Sequence, residues 1–416
     1  MRTRCTKYVA VLITVLLCSV MGCKKGEEGK IPEGATLTPE VTKEVEDDKE
    51  ITEVPGTYEG YTEAPMLQES VKRKKLPEVE KRLPVPADIY AVNDVTVGMY
   101  GADAQFATEN AETLTKELVS EGLFRYSDDG AIAPNIAKSY TVNADFTKYT
   151  IYLREGLRWS DGVLFTADDC VFFYEKLCLK EAFGESLWSC FTATDEKGNV
   201  GKATIQKLDD YSLQITFPSE KPDFLPQLLA QGGICFAPEH YFVNLMPEFM
   251  GESAALAKAK HMGYDSVEEM LRETVGNAWN TPGVPTLNAF CISTEEGKDD
   301  VTGDYYEFVR NPYYWKVDGA GKQLPYMDRL TFTRISDESQ KMLLTTEGFL
   351  TVSRLYPEQM EEARNGTSRG KYRIVTWSTT VSYAVNLNLK NFPEQCPYEE
   401  VLRGIGAAHP EYWYTE

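Results

Sequence analysis

The stretch from Gly122 to Leu177 constrains the fold more than any other part of the 416-residue chain. Residues 149–154 alternate apolar and polar side chains, which is the period of two expected of a half-buried strand. Ser160-Asp161-Gly162 predicts a turn, because glycine tolerates the positive φ of tight turns. Thr166 stands three residues before Asp169, the spacing of a capping box. The stretch therefore predicts a strand, a turn and a capped helix in succession.

A second stretch predicts two further strands and a helix. Residues 307–310 form a strand pattern that Asn311-Pro312 stops, because proline lacks a backbone donor and restrains the residue before it. Residues 330–335 predict the next strand. Ser336 is placed to cap a helix that runs from Asp337 to about Glu347.

Both stretches closely resemble the family 5 extracellular solute-binding proteins, the peptide- and oligopeptide-binding lipoproteins of ABC importers. The resemblance covers about residues 95–400 and is densest at 122–177 and 305–346. It implies an α/β fold of the bilobal, periplasmic-binding-protein-like type II kind, in the large multi-lobed class. It also implies that the lobes close on a solute by a hinge motion, with no chemistry done by the protein and no cofactor.

The N-terminus has the pattern of a secretory signal over residues 1–22. Arg2, Arg4 and Lys7 precede an apolar run that is too short to span a bilayer. The four residues that end at Cys23, Val-Met-Gly-Cys, resemble the lipobox of bacterial lipoproteins, which predicts a lipid on the Cys23 thiol. A plain signal peptide, with Cys23 incidental, is the alternative.

Residues 23–86 are expected to form a disordered acidic stalk. Between Glu27 and Ser70 there are 13 Asp and Glu against 3 Lys. A segment with so few large apolar residues cannot bury enough area to offset its ordering entropy. The basic run at residues 72–75, together with Lys81-Arg82, is either a solvated linker or a contact for anionic lipid headgroups.

Composition excludes two classes of function. The net charge of −21 would repel phosphate backbones, so we expect no nucleic-acid partner. The chain has three His and no CxxC spacing, which makes a zinc site unexpected. Beyond Cys23, either disulfides or buried reduced thiols would suit the remaining cysteines, which are Cys170, Cys178, Cys190, Cys235, Cys291 and Cys396.

The length that follows the stalk predicts two lobes. Residues 87–375 would form a first lobe with an inserted subdomain, and residues 376–416 would begin a second. Solute-binding proteins of the resembled class continue considerably further. We therefore expect a C-terminally truncated chain whose last lobe is incomplete.

Three aromatic residues are the candidate ligand contacts, chosen by their position in the chain. Tyr126, Trp377 and Tyr383 would line the solute cleft, or else belong to the aromatic core. The acid that holds a peptide's amino terminus in the resembled family lies late in the family chain, and no residue here matches it. His240, beside Pro238 and Tyr241, is expected to be structural.

The resemblance implies a lipid-anchored, extracytoplasmic monomer that captures peptides or similar solutes for a membrane permease and its ATPases. The alternative is a secreted carbohydrate-binding or carbohydrate-active lipoprotein. Asp128-Asp129 and Asp168-Asp169 argue against carbohydrate cleavage, because adjacent carboxylates read as turn and cap residues rather than a facing acid/base pair. No HExxH or P-loop pattern is present. A third possibility is a truncated chain without function.

Overall fold

Contacts divide the chain into two units. One unit holds residues 1–345 and 349–354, and the other holds residues 346–348 and 355–416. The signal peptide, Cys23, Asp128-Asp129, Trp377 and Tyr383 lie outside the described residues, so their predictions stay predictions. The computed structural model describes residues 60–92, 97–108, 119–127, 130–179, 189–293, 305–353, 355, 357–367 and 372–374.

The elements of the described residues follow in chain order. The strands are β1 (Tyr90–Val92), β2 (Asp103–Thr108), β3 (Phe124–Tyr126), β4 (Ile132–Pro134), β5 (Ala137–Val142), β6 (Lys148–Leu153), β7 (Thr192–Thr194), β8 (Val200–Lys202), β9 (Thr204–Asp209), β10 (Ser212–Thr216), β11 (Phe290–Ile292), β12 (Tyr305–Arg310), β13 (Lys316–Asp318) and β14 (Arg329–Arg334). The α-helices are α1 (Pro65–Lys72), α2 (Ala167–Phe172), α3 (Phe224–Ala230), α4 (Glu239–Phe242), α5 (Pro247–Met250), α6 (Glu252–His261), α7 (Val267–Gly276), α8 (Glu338–Thr346) and α9 (Met360–Thr367). All of these strands belong to the first unit.

Two four-stranded sheets organise the first unit. One has the antiparallel order β5-β6-β10-β9, and the other has the order β11-β12-β14-β2, in which β2 runs parallel to β14. In β6 the buried residues Tyr149, Ile151 and Leu153 alternate with less buried ones, which confirms the predicted strand. β12 ends at Arg310 before Asn311-Pro312, which confirms the predicted stop.

The helix predicted after the turn is present, and it is capped as predicted. Thr166 and Asp169 form a capping box at the start of α2. The chain continues as a π-helix over Phe173–Cys178, and Tyr174 and Leu177 are buried in the largest core cluster. The side chains of Thr166 and Asp169 accept hydrogen bonds from backbone N–H groups that the start of a helix leaves unpaired. This cap therefore fixes where α2 begins.

Asp169 also joins this cap to two other parts of the chain. Its carboxylate accepts hydrogen bonds from Thr166 N (3.0 Å), Glu239 N (3.1 Å) and Trp159 Nε1 (3.2 Å). Burial raises the pKa of Asp169 from 3.8 to about 6, although these hydrogen bonds favour the ionised form. A single buried carboxylate thus connects the turn, α2 and the start of α4.

The predicted stalk over residues 23–86 is wrong for its last part, because residues 60–86 are folded. Arg82 is fully buried. Its guanidinium donates to Gln323 Oε1 (2.9 Å) and Pro77 O (2.9 Å), and it also contacts the Glu63 carboxylate and the Pro312 carbonyl. The average composition of the segment gives no sign of this buried arginine. Because Arg82 is buried, it does not belong to a lipid-binding patch.

A small apolar cluster holds the same segment. Val79, Leu83 and Ile89 are buried against Val317 of β13. β1 then pairs in parallel with β13, with Tyr90 opposite Lys316. The segment therefore belongs to the folded unit, through both a buried charge and apolar contacts.

The cap of α8 differs from the prediction by one residue. Asp337 Oδ1, not Ser336, accepts hydrogen bonds from Ser339 N (2.8 Å) and Gln340 N (3.2 Å). Both residue types are good N-caps, so the sequence alone did not separate them.

The described cysteines support the reduced alternative over disulfides. Cys170, Cys178, Cys190 and Cys235 are buried and free, and Cys291 is free and partly buried. Cys396 lies outside the described residues. Within the described ranges, no helix has the length and apolar character needed to cross a membrane.

Arg82→Met should destabilise the protein strongly. The substitution leaves the largely buried Glu63 carboxylate without its cation, and breaking a buried ion pair costs about 3–5 kcal/mol. Urea unfolding measures this loss, and limited proteolysis should show new cleavage within residues 60–86. The matched control is Lys81→Met at an exposed side chain, with an expected change within about 0.5 kcal/mol. Equal stability of the two variants would contradict the anchoring role of Arg82.

Asp169→Asn should change how stability depends on pH. The pKa of Asp169 is raised in the folded protein, so this carboxyl favours folding below about pH 4, and that contribution is lost as pH rises through about 6. The shift corresponds to about 3 kcal/mol. The unfolding free energy of the variant, relative to the unsubstituted protein, should therefore rise between pH 4 and pH 7. Urea unfolding across that range tests this, with Asp168→Asn as the neighbouring control, and a constant difference would refute it.

Candidate functional site

Tyr126 is the predicted ligand contact that lies within the described residues. It ends β3, which pairs with β4 in an antiparallel arrangement that sets Tyr126 opposite Ile132. The side chain is 48% exposed. The aromatic-core alternative for Tyr126 is therefore excluded, and its ring is free to contact a molecule in solution.

Arg125, beside Tyr126 on β3, is also exposed and contacts Tyr90 of β1. Its Nε and Nη2 donate to the Tyr90 hydroxyl oxygen at 3.2 Å and 2.7 Å. Its Nη1 lies 3.4 Å from the Tyr126 carbonyl oxygen. The bonds from Arg125 to the Tyr90 hydroxyl therefore tie β3 to β1.

The Tyr90 ring is surrounded by three cations and one aromatic ring. Arg154 Cζ lies 5.1 Å from the ring centroid, Lys316 Nζ 5.3 Å and Arg125 Cζ 6.0 Å. Trp315 meets the ring edge-on at 5.8 Å. Cations over an aromatic face are attracted by its quadrupole. We call these five residues the Tyr90 cluster.

Arg154 and Lys316 also bind oxygen atoms outside the Tyr90 cluster. Arg154 is buried and donates to the carbonyl oxygens of Asn135 (2.8 Å) and Asp88 (3.0 Å). Burial lowers the pKa of Arg154 to about 10, against the opposing effect of Asp88. Lys316 Nζ donates to both Glu121 carboxylate oxygens at 3.0 Å and 3.1 Å.

The nearby carboxylates are fully engaged. Glu121 also accepts from Tyr314 Oη (2.5 Å) and Asn135 Nδ2 (2.7 Å). Burial, together with this carboxylate, raises the pKa of the Tyr314 phenol. Asp88 accepts from Lys138 Nζ and from the Glu155 backbone. Neither carboxylate is available to Arg125.

The other polar residues singled out in the sequence have structural roles. His240 Nε2 lies 2.8 Å from Asp161 Oδ2, and its ring packs edge-on against Trp159. Asp168 pairs with Lys207 at 2.7 Å. The part of the chain that the structure describes contains no group of His, Cys, Asp or Glu able to hold a metal ion.

Tyr90, Arg125 and Lys316 were not among the residues predicted from the sequence. Arg125 could have been found, because it adjoins Tyr126 in the sequence. Tyr90 and Lys316 are separated by more than two hundred residues, and only the β1–β13 pairing brings them together. No local pattern in the sequence carries that information.

A scan of family models matches residues 131–395 to the family described as bacterial extracellular solute-binding proteins, family 5 Middle. The periplasmic alpha-galactoside-binding protein of Rhizobium meliloti is 27% identical, over 78% of this chain and 46% of that relative. The periplasmic oligopeptide-binding protein OppA of Salmonella typhimurium is 25% identical, over 52% of this chain and 34% of that relative. The chain thus spans less than half the length of these curated relatives.

Solved structures show the same fold. An oligopeptide-binding protein OppA matches with a TM-score of 0.67 and 24% identity, over 79% of this chain and 51% of that one. The periplasmic binding protein MelB of Agrobacterium fabrum, in complex with stachyose, matches with a TM-score of 0.51 and 24% identity, over 74% of this chain and 46% of that one. The predicted α/β, periplasmic-binding-protein-like fold class is confirmed.

Two substitutions at Tyr90 should separate the ring from the hydroxyl. Tyr90→Phe removes the acceptor for Arg125 and should cost about 1 kcal/mol of stability. Tyr90→Leu also removes the ring face from Arg154 and Lys316, and should cost about 2–4 kcal/mol. Urea unfolding of both variants measures the difference. Equal losses would show that the ring face contributes nothing to the Tyr90 cluster.

Proposed function

Because the chain belongs to the bacterial extracellular solute-binding proteins of family 5, we propose that it captures peptides or similar solutes outside the cytoplasm and delivers them to a membrane permease. The observation that carries the proposal is the family match over residues 131–395, in a chain that has the fold of solved solute-binding proteins. The permease and its ATPases are the partners that such a component of an ABC importer requires.

Peptides are the first candidate solute. Several relatives are named as oligopeptide- or murein-peptide-binding proteins. The exposed Tyr126 offers an apolar contact of the kind that a peptide side chain makes.

An α-galactoside is the second candidate solute. The alpha-galactoside-binding relative aligns with 78% of this chain, a larger share than the aligned oligopeptide-binding relatives reach. An exposed aromatic ring such as Tyr126 also stacks well on the apolar face of a sugar. With an α-galactoside as its solute, the protein would bind carbohydrate, as the alternative prediction has it, and would still serve transport.

Catalysis forms no part of the proposal. The named relatives are binding proteins. Of the two carboxylate pairs considered in the sequence, Asp168-Asp169 lies within the described residues, and its members are held by Lys207 and by the capping box. Neither carboxylate is placed as one half of a facing acid/base pair, so we assign no catalytic residue and no cofactor.

A lipid on Cys23 is proposed to hold the protein, as a monomer, at the outer face of the cell membrane. The basis is the lipobox-like sequence that ends at Cys23, behind a signal-like segment. Tethering would raise the local concentration of the loaded protein near its permease. Stable anchoring requires more than one acyl chain, which lipoprotein processing supplies.

Solute binding should raise the melting temperature of the purified protein. At a hundred times the dissociation constant a ligand adds about 2.7 kcal/mol, which corresponds to roughly 3–4 °C for a chain of this size. Differential scanning fluorimetry with tri- to pentapeptides, raffinose and stachyose tests this, with cellobiose as the control sugar. We expect a shift with peptides. A shift with the α-galactosides alone would replace the first candidate by the second, and hydrolysis of a glycoside would contradict the transport function.

Cys23→Ser should release the protein from membranes. In a bacterial host that processes lipoproteins, the unsubstituted protein should partition into the detergent phase of a Triton X-114 extraction, because the acyl chains carry it there. The serine variant should stay in the aqueous phase. If both proteins partition alike, Cys23 is not the anchor.

A further inference from the structure

The hairpin of β7 and β8 has an open edge on the side of β7. The two strands form a two-stranded antiparallel sheet with an unbroken register. Main-chain bonds join the hairpin at either end of β7, from Asp195 N to Asn199 O (2.9 Å) and from Ala203 N to Phe191 O (2.8 Å). Alternate residues of an antiparallel strand direct their main-chain groups to the partner strand. The groups of Thr192 and Thr194 therefore point away from β8.

This edge carries main-chain groups that nothing pairs with. Among the described residues, none bonds to the N–H or C=O of Thr194, or to the C=O of Thr192. β7 reads Thr-Ala-Thr, so it lacks the lysine or proline that commonly shields an edge strand. An unshielded edge is a template on which another extended chain can pair.

A cavity of about 430 Å³ lies along the same edge. All three residues of β7 line it, including Ala193, whose side chain is buried in the core. Successive side chains point to opposite faces of a strand, so a cavity that touches three residues in a row meets the strand at its edge. Thr194 is also exposed, which leaves its main-chain groups accessible from the cavity.

The other wall of the cavity is polar and has a net negative charge. Lys221 Nζ is already bound by Asp223 at 3.1 Å and by Gln227 Oε1 at 2.9 Å. Glu220, the second carboxylate of the cavity, is exposed and has no ion pair with a described residue. The charged residues just before Ser189 lie outside the described residues and add a net charge of −1: Lys180, Glu181 and Glu185. Charge complementarity therefore favours a cationic partner.

We propose that the open edge of β7 binds an extended, basic segment of a partner protein. The segment pairs with Thr192 and Thr194 as a third strand and directs a cationic side chain at Glu220. Strand addition takes its affinity from main-chain hydrogen bonds and needs no free chain end, so an internal segment of a protein suits this edge. The inference goes beyond solute capture and does not depend on which solute the protein takes.

Fluorescence anisotropy with dye-labelled peptides tests the proposal at about 0.15 M salt, where long-range attraction is screened. The probes are Thr-Lys-Val-Lys-Val-Thr and its counterparts with glutamate or glutamine in place of lysine. Each is blocked by the dye at its amino end and by an amide at its carboxyl end. The basic peptide should bind most tightly. An acidic chain also attracts basic peptides without a specific site, so substitutions must separate the two effects.

Thr194→Pro tests the strand pairing. Proline removes an N–H that the hairpin does not use, and it is tolerated at such an edge position. Affinity for the basic peptide should fall at least about fivefold, the effect of one lost main-chain hydrogen bond. Val200→Pro is the matched control, because Val200 holds the equivalent outward position on the opposite edge of the hairpin. That control should bind as the unsubstituted protein does, and so should Thr194→Val, which keeps the N–H.

Glu220→Gln tests the charge preference. It should reduce the preference for the lysine peptide over the glutamine peptide about threefold, as expected for an exposed ion pair. Glu196→Gln, at an exposed carboxylate in the turn of the hairpin, should leave that preference unchanged.

Three results would overturn the proposal. Equal affinity in the two proline variants would exclude pairing at β7. An undiminished preference for lysine in Glu220→Gln would exclude Glu220 as the partner of the cationic side chain. Tighter binding of the same peptide with free ends would assign this edge to a solute instead of a protein segment. None of these results bears on solute capture, which the melting experiments test separately.

Discussion

The face of the Tyr90 ring is the contact that joins three separate strand regions of the first unit. Arg154 follows β6 of the antiparallel sheet, Lys316 lies on β13, and Arg125 lies on β3, yet all three reach the same ring. Arg154 and Lys316 lose hydration there, and cation–π attraction and hydrogen bonds to oxygen offset that loss. Removing the ring would take this attraction from Arg154 and Lys316, which would keep their bonds to carbonyl and carboxylate oxygens.

The features that were predicted correctly from the sequence are those that depend on residues close together in the chain. The capping box of Thr166 and Asp169, the alternation in β6 and the strand end before Asn311-Pro312 all depend on neighbours within a few residues. The choice between Ser336 and Asp337 as helix cap failed, because both residues satisfy the same rule. Tyr126 was found by its position in a resembled segment, and the structure added that its ring is exposed.

Long-range contacts account for what the sequence did not reveal. Arg82 looked like part of a solvated basic run, but its partners include Glu63 on one side and Gln323 far along the chain. The β1–β13 pairing likewise joins residues more than two hundred positions apart. The prediction that residues 60–86 are disordered rested on average composition. An average takes no account of one buried ion pair and a few buried apolar side chains, which are enough to fold this segment.

The central claim is that this protein captures a solute and releases it unchanged. Equilibrium dialysis against a defined peptide mixture, followed by mass spectrometry of what the protein retains, tests it most directly. The account predicts about one retained peptide per chain, with each recovered mass identical to that of a peptide supplied. Retention of no peptide and, in a parallel dialysis, of no α-galactoside would contradict it, as would recovery of shortened peptides.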